Sequence, residues 1–140
     1  VLLFARRRLT ALIFWVAAVG TSEAIVWISK AIYGRQRPPD ALISTTGDSF
    51  PSAHTATAAV VAIGLVLLLI SVSDRRWYWY AAAAGWATIM AASRVYLRAH
   101  WFSDVVAGAA VGAAVVITFA LLIERWRGAR QDQPNRTAEE

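Results

Sequence analysis

The chain has 140 residues, 58% of them hydrophobic, with a net charge of +5 and no cysteine. One domain fits that length, and the missing cysteine excludes a disulfide framework and a thiolate metal site. The positive charge defines no nucleic-acid surface, because the basic residues sit at the ends of apolar runs and form no stripe; no nucleic-acid partner is expected.

Taken in chain order, Arg6, Arg7 and Arg8 precede a first apolar segment, Leu9 to Ala31, whose only charge before Lys30 is Glu23. A polar loop rich in Pro, Gly, Ser, Thr and Asp follows from Tyr33 to Ser52. The second segment, Ala53 to Val72, has no charge after His54. Ser73 to Arg76 make a tight turn into the third, Trp77 to Val95, and Leu97 to Ala99 join it to the fourth, Trp101 to Ile123. A helix crossing the hydrocarbon needs about 20 mostly apolar residues, with roughly 17 as the lower bound. All four segments reach that length with their flanks. With a mean hydropathy of +0.48, they leave too little polar surface for a soluble domain. The expected fold is all-α, an integral-membrane bundle with four transmembrane helices. Its domain covers residues 1–128, and a charged tail over 129–140 is expected to be disordered.

Four alternating spans sort the basic residues onto two sides. Arg6, Arg7, Arg8, Arg75, Arg76, Arg125, Arg127, Arg130 and Arg136 fall on one, and Lys30, Arg35, Arg37, Arg94 and Arg98 on the other. The positive-inside rule places the larger group in the cytoplasm. The expected location is therefore a cell inner (plasma) membrane, multi-pass, with the polar loops facing the periplasm or exterior. Trp77, Tyr78, Trp79 and Tyr80 fit an interfacial aromatic belt. Gly108 and Gly112 form a GxxxG in the fourth span, which points to close helix packing.

Polar groups at membrane depth are costly and call for a reason. Three clusters fall at the outward end: Lys30 to Pro38 (KAIYGRQRP), Phe50 to Thr55 (FPSAHT) and Ser93 to Asp104 (SRVYLRAHWFSD). They are distant in sequence, but the alternating topology brings them to one end of the bundle. Lys30, Arg37 and Arg94 supply three cations, and guanidinium forks match phosphate oxygens. Ser52 and the free N–H groups of Ala53 and His54 open a helix, where the dipole and unpaired donors favour an anion. The chain's two histidines, His54 and His100, both lie in these clusters. If the fourth helix has begun by His100, Asp104 shares its face. A carboxylate bonded to one imidazole nitrogen would then leave the other free to attack. No carboxylate or histidine group has metal spacing, so neither a metal nor a cofactor is expected.

Together these clusters resemble the three signatures of the phosphatidic acid phosphatase type 2 family, the membrane lipid phosphatase branch of the haloperoxidase-like superfamily. Those signatures read KxxxxxxRP, PSGH and SRxxxxxHxxxD. Lys30, Arg37 and Pro38 match the first, Pro51, Ser52 and His54 the second, and Ser93, Arg94, His100 and Asp104 the third. Ala53 stands where the family usually has glycine, at a cost of about 1 kcal/mol if the backbone there needed a positive φ.

The resemblance implies a metal-independent hydrolase acting on a lipid phosphate or diphosphate through a phosphohistidine on the outer face of the membrane. Undecaprenyl diphosphate, phosphatidate and phosphatidylglycerol phosphate are the substrates it suggests. It assigns attack to His100, its orientation to Asp104, and proton transfer to and from the leaving oxygen and water to His54. Phosphate binding falls to Lys30, Arg37, Ser52, the Ala53 amide and Arg94. Membrane members of the family have a six-helix core, so two N-terminal helices, or a fused domain, are expected before Val1 in the full-length protein. A soluble vanadium haloperoxidase is disfavoured by the apolar runs, and a non-catalytic lipid-phosphate binder by the presence of both histidines. Arg35 and Arg98 read as head-group anchors. Glu23, two turns before Lys30 on the same face, reads as a structural partner of that lysine or of a missing helix.

Overall fold

The computed structural model describes residues 2–70, 72–74 and 76–136, all-helical, with no strand among the described residues. Four helices appear in order: α1 (Leu2–Tyr33), α2 (Ala53–Leu69), α3 (Trp77–Tyr96) and α4 (Phe102–Arg136). A 3-10 turn, Val72–Asp74, lies between α2 and α3. The expected helical bundle is therefore present, with two boundaries moved. α2 closes at Leu69, three residues before the expected end. α4 continues through Arg136, where the sequence reading places a disordered tail beyond Gly128. Ala129, Arg130, Gln131 and Gln133 are helix formers that carry the helix on. Residues 137–140 lie outside the described residues.

Two helices, Leu9–Tyr33 of α1 and Phe102–Ala129 of α4, are long and apolar enough to cross a membrane. α2 is apolar throughout, but its 17 residues span about 25 Å. That falls short of the roughly 30 Å hydrocarbon thickness. The four-span expectation is met in helix number; by length and composition two of the four qualify.

α2 and α4 form the centre of the bundle. α1 and α3 each pack against both of them. Ala18, Val60, Val115 and Val116 make the buried cluster, with Val19, Ile63, Val111 and Phe119 packed around it. Large apolar side chains such as Ile13, Val16, Trp27 and Ile28 on α1, and Trp86 and Ile89 on α3, point outward. That inversion suits a lipid environment, where apolar side chains face the solvent.

Two close approaches fix the centre. At Gly108 an added Cβ would run into the carbonyl of Ser52, and at Gly112 into the carbonyl of Ala56. The GxxxG thus lets the backbone of α4 press on the first turn of α2, and a methyl at either position must move one helix. Gly85, with nothing within 4 Å of a built Cβ, is the natural control. Gly108→Ala and Gly112→Ala are expected to destabilise the fold by about 1–3 kcal/mol each, whereas Gly85→Ala is neutral or stabilising. Thermal unfolding in detergent decides this; equal midpoints for all three variants would refute the packing role.

Candidate active site

The site is built where three chain segments meet at one end of the bundle. α1 stops because Gly34 takes a left-handed conformation (φ 53°) and donates its N–H to the Lys30 carbonyl at 3.0 Å. That is a helix-capping turn which glycine adopts without steric cost. It sends Arg35, Gln36 and Arg37 back across the bundle end. At the end of α3 the Arg94 carbonyl accepts the N–H groups of Ala99 (3.0 Å) and His100 (3.3 Å). Arg98 sits at φ 52° in that turn. α4 starts at Phe102, so His100 lies in the turn before the helix, and the condition for a shared helical face with Asp104 is not met.

His100 is buried, at 4% exposure. Its Nδ1 lies 2.8 Å from the carbonyl oxygen of Ser49, and its Nε2 lies 3.2 Å from Nη1 of Arg37. A carbonyl only accepts and a guanidinium only donates, so the proton belongs on Nδ1 and the lone pair on Nε2. Burial, followed by the charge of Arg37, pulls the ring's pKa down to about 4. The ring is therefore neutral at neutral pH.

Asp104 is fully buried, but its first partners are not those the sequence suggested. Its Oδ2 accepts the backbone N–H of Trp101 at 2.9 Å, and its Oδ1 accepts Nη1 of Arg35 at 2.7 Å. Nδ1 of His100 is 3.5 Å from Oδ2, beyond hydrogen-bond contact. The group directly bonded to the ring is thus the Ser49 carbonyl. The physical reason is that α4 begins only at Phe102, after His100, which leaves Asp104 to cap its start. Arg35, read as a head-group anchor, instead joins Asp104 and also donates to Ser103 Oγ at 2.6 Å.

The cations differ in how they are held. Arg37 donates from Nε to Gly47 O (2.9 Å), from Nη1 to Ala99 O (2.8 Å) and His100, and from Nη2 to Thr46 O (3.0 Å) and Asp48 O (3.3 Å). All five of its donors are engaged. Lys30 donates to the Asp48 carbonyl. Arg94 makes one side-chain contact, Nε to Ser93 Oγ at 3.2 Å, and its two Nη groups have no partner among the described residues. Ser52 is buried at the start of α2; its N–H donates to Asp104 O at 2.9 Å, and its Oγ accepts from Thr55 Oγ1 at 3.2 Å. Ala53 is the first residue of α2 and is not among the positive-φ residues, so alanine sits there without backbone strain.

His54, one residue on, is exposed on the first turn of α2. The charges of Arg94, Arg37, Lys30 and Glu23 all reach it. Glu23 does not pair with Lys30. It accepts a hydrogen bond from Thr57 of α2, one turn below His54.

The three sequence clusters therefore converge. The first meets the third through Arg37 and His100, and the second meets the third through Ser52 and Asp104. Sequence reasoning missed Ser49, which acts through a backbone carbonyl that carries no residue-type signal. It also missed the site role of Arg35, two residues before the motif arginine. Among the described residues no three histidine or carboxylate side chains gather as a metal site.

A sequence profile of the PAP2 superfamily matches residues 9–128. Over 87 residues the chain is 38% identical to a lipid A 1-phosphatase of Porphyromonas gingivalis, a match covering 61% of this chain and 18% of that protein. The fold matches the crystal structure of a transmembrane PAP2 type phosphatidylglycerolphosphate phosphatase from Bacillus subtilis with a TM-score of 0.72 and 30% sequence identity. That match covers 81% of this chain and 59% of the other, so the chain spans less than two thirds of the length of each relative.

The burial of His100 has a pH consequence. An unfolded imidazole binds its proton near 6.5 and the folded ring only near 4, so the native state loses stability as pH falls through that window and is unaffected above it. Imidazole 15N shifts of the protein in detergent are expected to report a His100 midpoint near 4; a midpoint at the ordinary histidine value would contradict the buried, neutral ring.

Proposed function

The chain belongs to the PAP2 superfamily, and from that premise we propose that it is a metal-independent phosphatase of lipid phosphates or lipid diphosphates. The reaction runs through a phosphohistidine on His100. The observation that carries this reading is the fixed tautomer: Nδ1–H is tied to the Ser49 carbonyl, and the Nε2 lone pair faces the cluster of Arg37 and Lys30.

The chemistry follows from that arrangement. A phosphoryl group entering beside Arg37 offers oxygens that compete for Nη1–H, and their binding frees Nε2. Arg94 presents its open guanidinium, while Lys30 and the amides at the start of α2 add positive potential. Nε2 then attacks phosphorus; the N–P bond forms as the bond to the lipid oxygen breaks. His54, which takes up a proton as the bound phosphate offsets the charges of Arg94 and Arg37 beside it, gives that proton to the oxygen. The positive charge growing on the His100 ring is met by the Ser49 carbonyl and, at 3.5 Å, by Asp104. In the second step His54 takes a proton from water, whose oxygen attacks phosphorus and releases His100. The charge that develops is met by three cations, so the route needs no metal.

The finer placement belongs to the same proposal. Residues 1–128 form the membrane phosphatase unit, and the four helices are part of a six-helix core. The site faces the periplasm or exterior of the plasma membrane, in keeping with the nine basic residues on the opposite side. Undecaprenyl diphosphate, phosphatidate and phosphatidylglycerol phosphate are the candidate substrates. Lipid A 1-phosphate joins them because of the Porphyromonas relative.

Phosphate release from these lipids by the full-length protein in EDTA is the direct test. His100→Ala is expected to lose at least about 1000-fold in turnover. His54→Ala should slow the reaction roughly 100- to 10,000-fold and accumulate an acid-labile, base-stable phosphoprotein. Equal turnover by wild type and His100→Ala would remove the phosphohistidine from the mechanism.

A further inference from the structure

Arg35 stands at an unspecified position of the first motif, yet it touches the surroundings of His100 at two points. Its backbone carbonyl accepts the N–H of Ser49 at 2.8 Å, and Ser49 in turn holds Nδ1 of His100. Its side chain gives both hydrogens of Nη1 to α4, one to Asp104 Oδ1 at 2.7 Å and one to Ser103 Oγ at 2.6 Å. The guanidinium also lies over the Trp101 ring, 5.6 Å from its centroid. A head-group anchor would direct its charge away from the bundle, whereas Arg35 turns its own onto a fully buried carboxylate and remains 38% exposed.

The two oxygens of Asp104 are shared out by this contact. Oδ1 is taken by Arg35 and Oδ2 by the Trp101 N–H. Nδ1 of His100 therefore stays with the Ser49 carbonyl at 2.8 Å while Asp104 stands off at 3.5 Å. A carboxylate released from Arg35 could turn on its χ angles and compete for that proton. The ring would then rotate away from Ser49 and carry Nε2 with it.

We propose that Arg35 is a positioning residue for His100: it holds Asp104 against the start of α4 and Ser49 against the ring, and so keeps Nε2 aimed at the phosphate. This role rests on His100 being the nucleophile proposed above. The charged groups that act on the ring are Lys30 from α1, Arg37 from the loop that follows it, and Asp104 from α4. Of these, Arg35 touches Asp104 alone, so a change at Arg35 reaches the ring through that carboxylate.

The test uses the full-length protein in nanodiscs, with 15N-labelled histidine, and reads His100 by NMR alongside steady-state hydrolysis. Arg35→Met is expected to raise the His100 titration midpoint by about one unit, because Asp104 becomes free to pair with the ring. It should lower kcat roughly 10- to 100-fold, the cost of a small misalignment of a reacting group, with KM changed less than about threefold. Arg35→Lys keeps the charge but not the fork, and should show smaller changes in both readouts. It also serves as the deciding variant if Arg35→Met does not fold. An unchanged His100 titration with unchanged kcat in the variants would overturn the proposal and return Arg35 to a surface anchor. A loss confined to KM would overturn it in favour of a substrate contact. If the wild type itself releases no phosphate from any lipid, the functional reading fails while the titration still decides the role of Arg35.

Discussion

The architecture hangs on the contact between the start of α2 and the start of α4. Ser52 donates its N–H to the Asp104 carbonyl, and its own carbonyl rests on Gly108, where no side chain intervenes. One turn further on, Gly112 lies against Ala56 in the same way. In lipid there is no hydrophobic force between helices, so close packing of small residues must supply the association. The glycine pair does this at the level of the chemistry, because it clamps the amides that open α2 beside the turn that carries His100.

Around that clamp the site solves a problem of charge. Three cations and a neutral histidine share a small volume. The neutral state follows from burial and from the proximity of Arg37, which both disfavour a second proton on the ring. The cations are themselves held by carbonyl oxygens of the loop between α1 and α2: Thr46, Gly47 and Asp48 for Arg37, and Asp48 for Lys30. These neutral acceptors fix the side chains without cancelling their charge. Arg94 is left with an open guanidinium, the readiest fork for an incoming anion. A carboxylate in the same place would have formed an ion pair and cancelled part of the positive charge gathered here.

Asp104, the carboxylate nearest the His100 ring, is kept at a distance from it. Asp104 is occupied by Arg35 and by the N–H of Trp101 just before α4, so the ring's proton goes to a carbonyl. That acceptor fixes the tautomer, while burial and Arg37 outweigh it and keep the ring neutral. Glu23 is absorbed in a similar way, by the hydroxyl of Thr57 across the α1–α2 contact.

The apolar runs and their spacing were enough to read an all-α membrane bundle, and the order of the three polar clusters was enough to read the residues that gather at its end. Those features depend on residue type and period, which a sequence carries openly. Helix ends were less legible: α2 stopped short of Val72 and α4 ran on past Gly128, because cooperativity and local propensity settle boundaries that hydropathy does not. The partner of His100 was not legible at all. Ser49 contributes only a backbone carbonyl, which every residue has, and the turn at Arg98 that aims the ring arises from chain folding and not from side-chain type. Arg35 carried the right chemistry at a position no spacing marked, since whether it faced lipid head groups or Asp104 depended on where the Gly34 cap turned the chain. The sequence by itself thus determined which charges and imidazoles this protein has and the end of the bundle at which they meet. Tertiary structure decided which of them touch, because hydrogen bonds a few ångströms long depend on backbone geometry set by contacts distant in sequence.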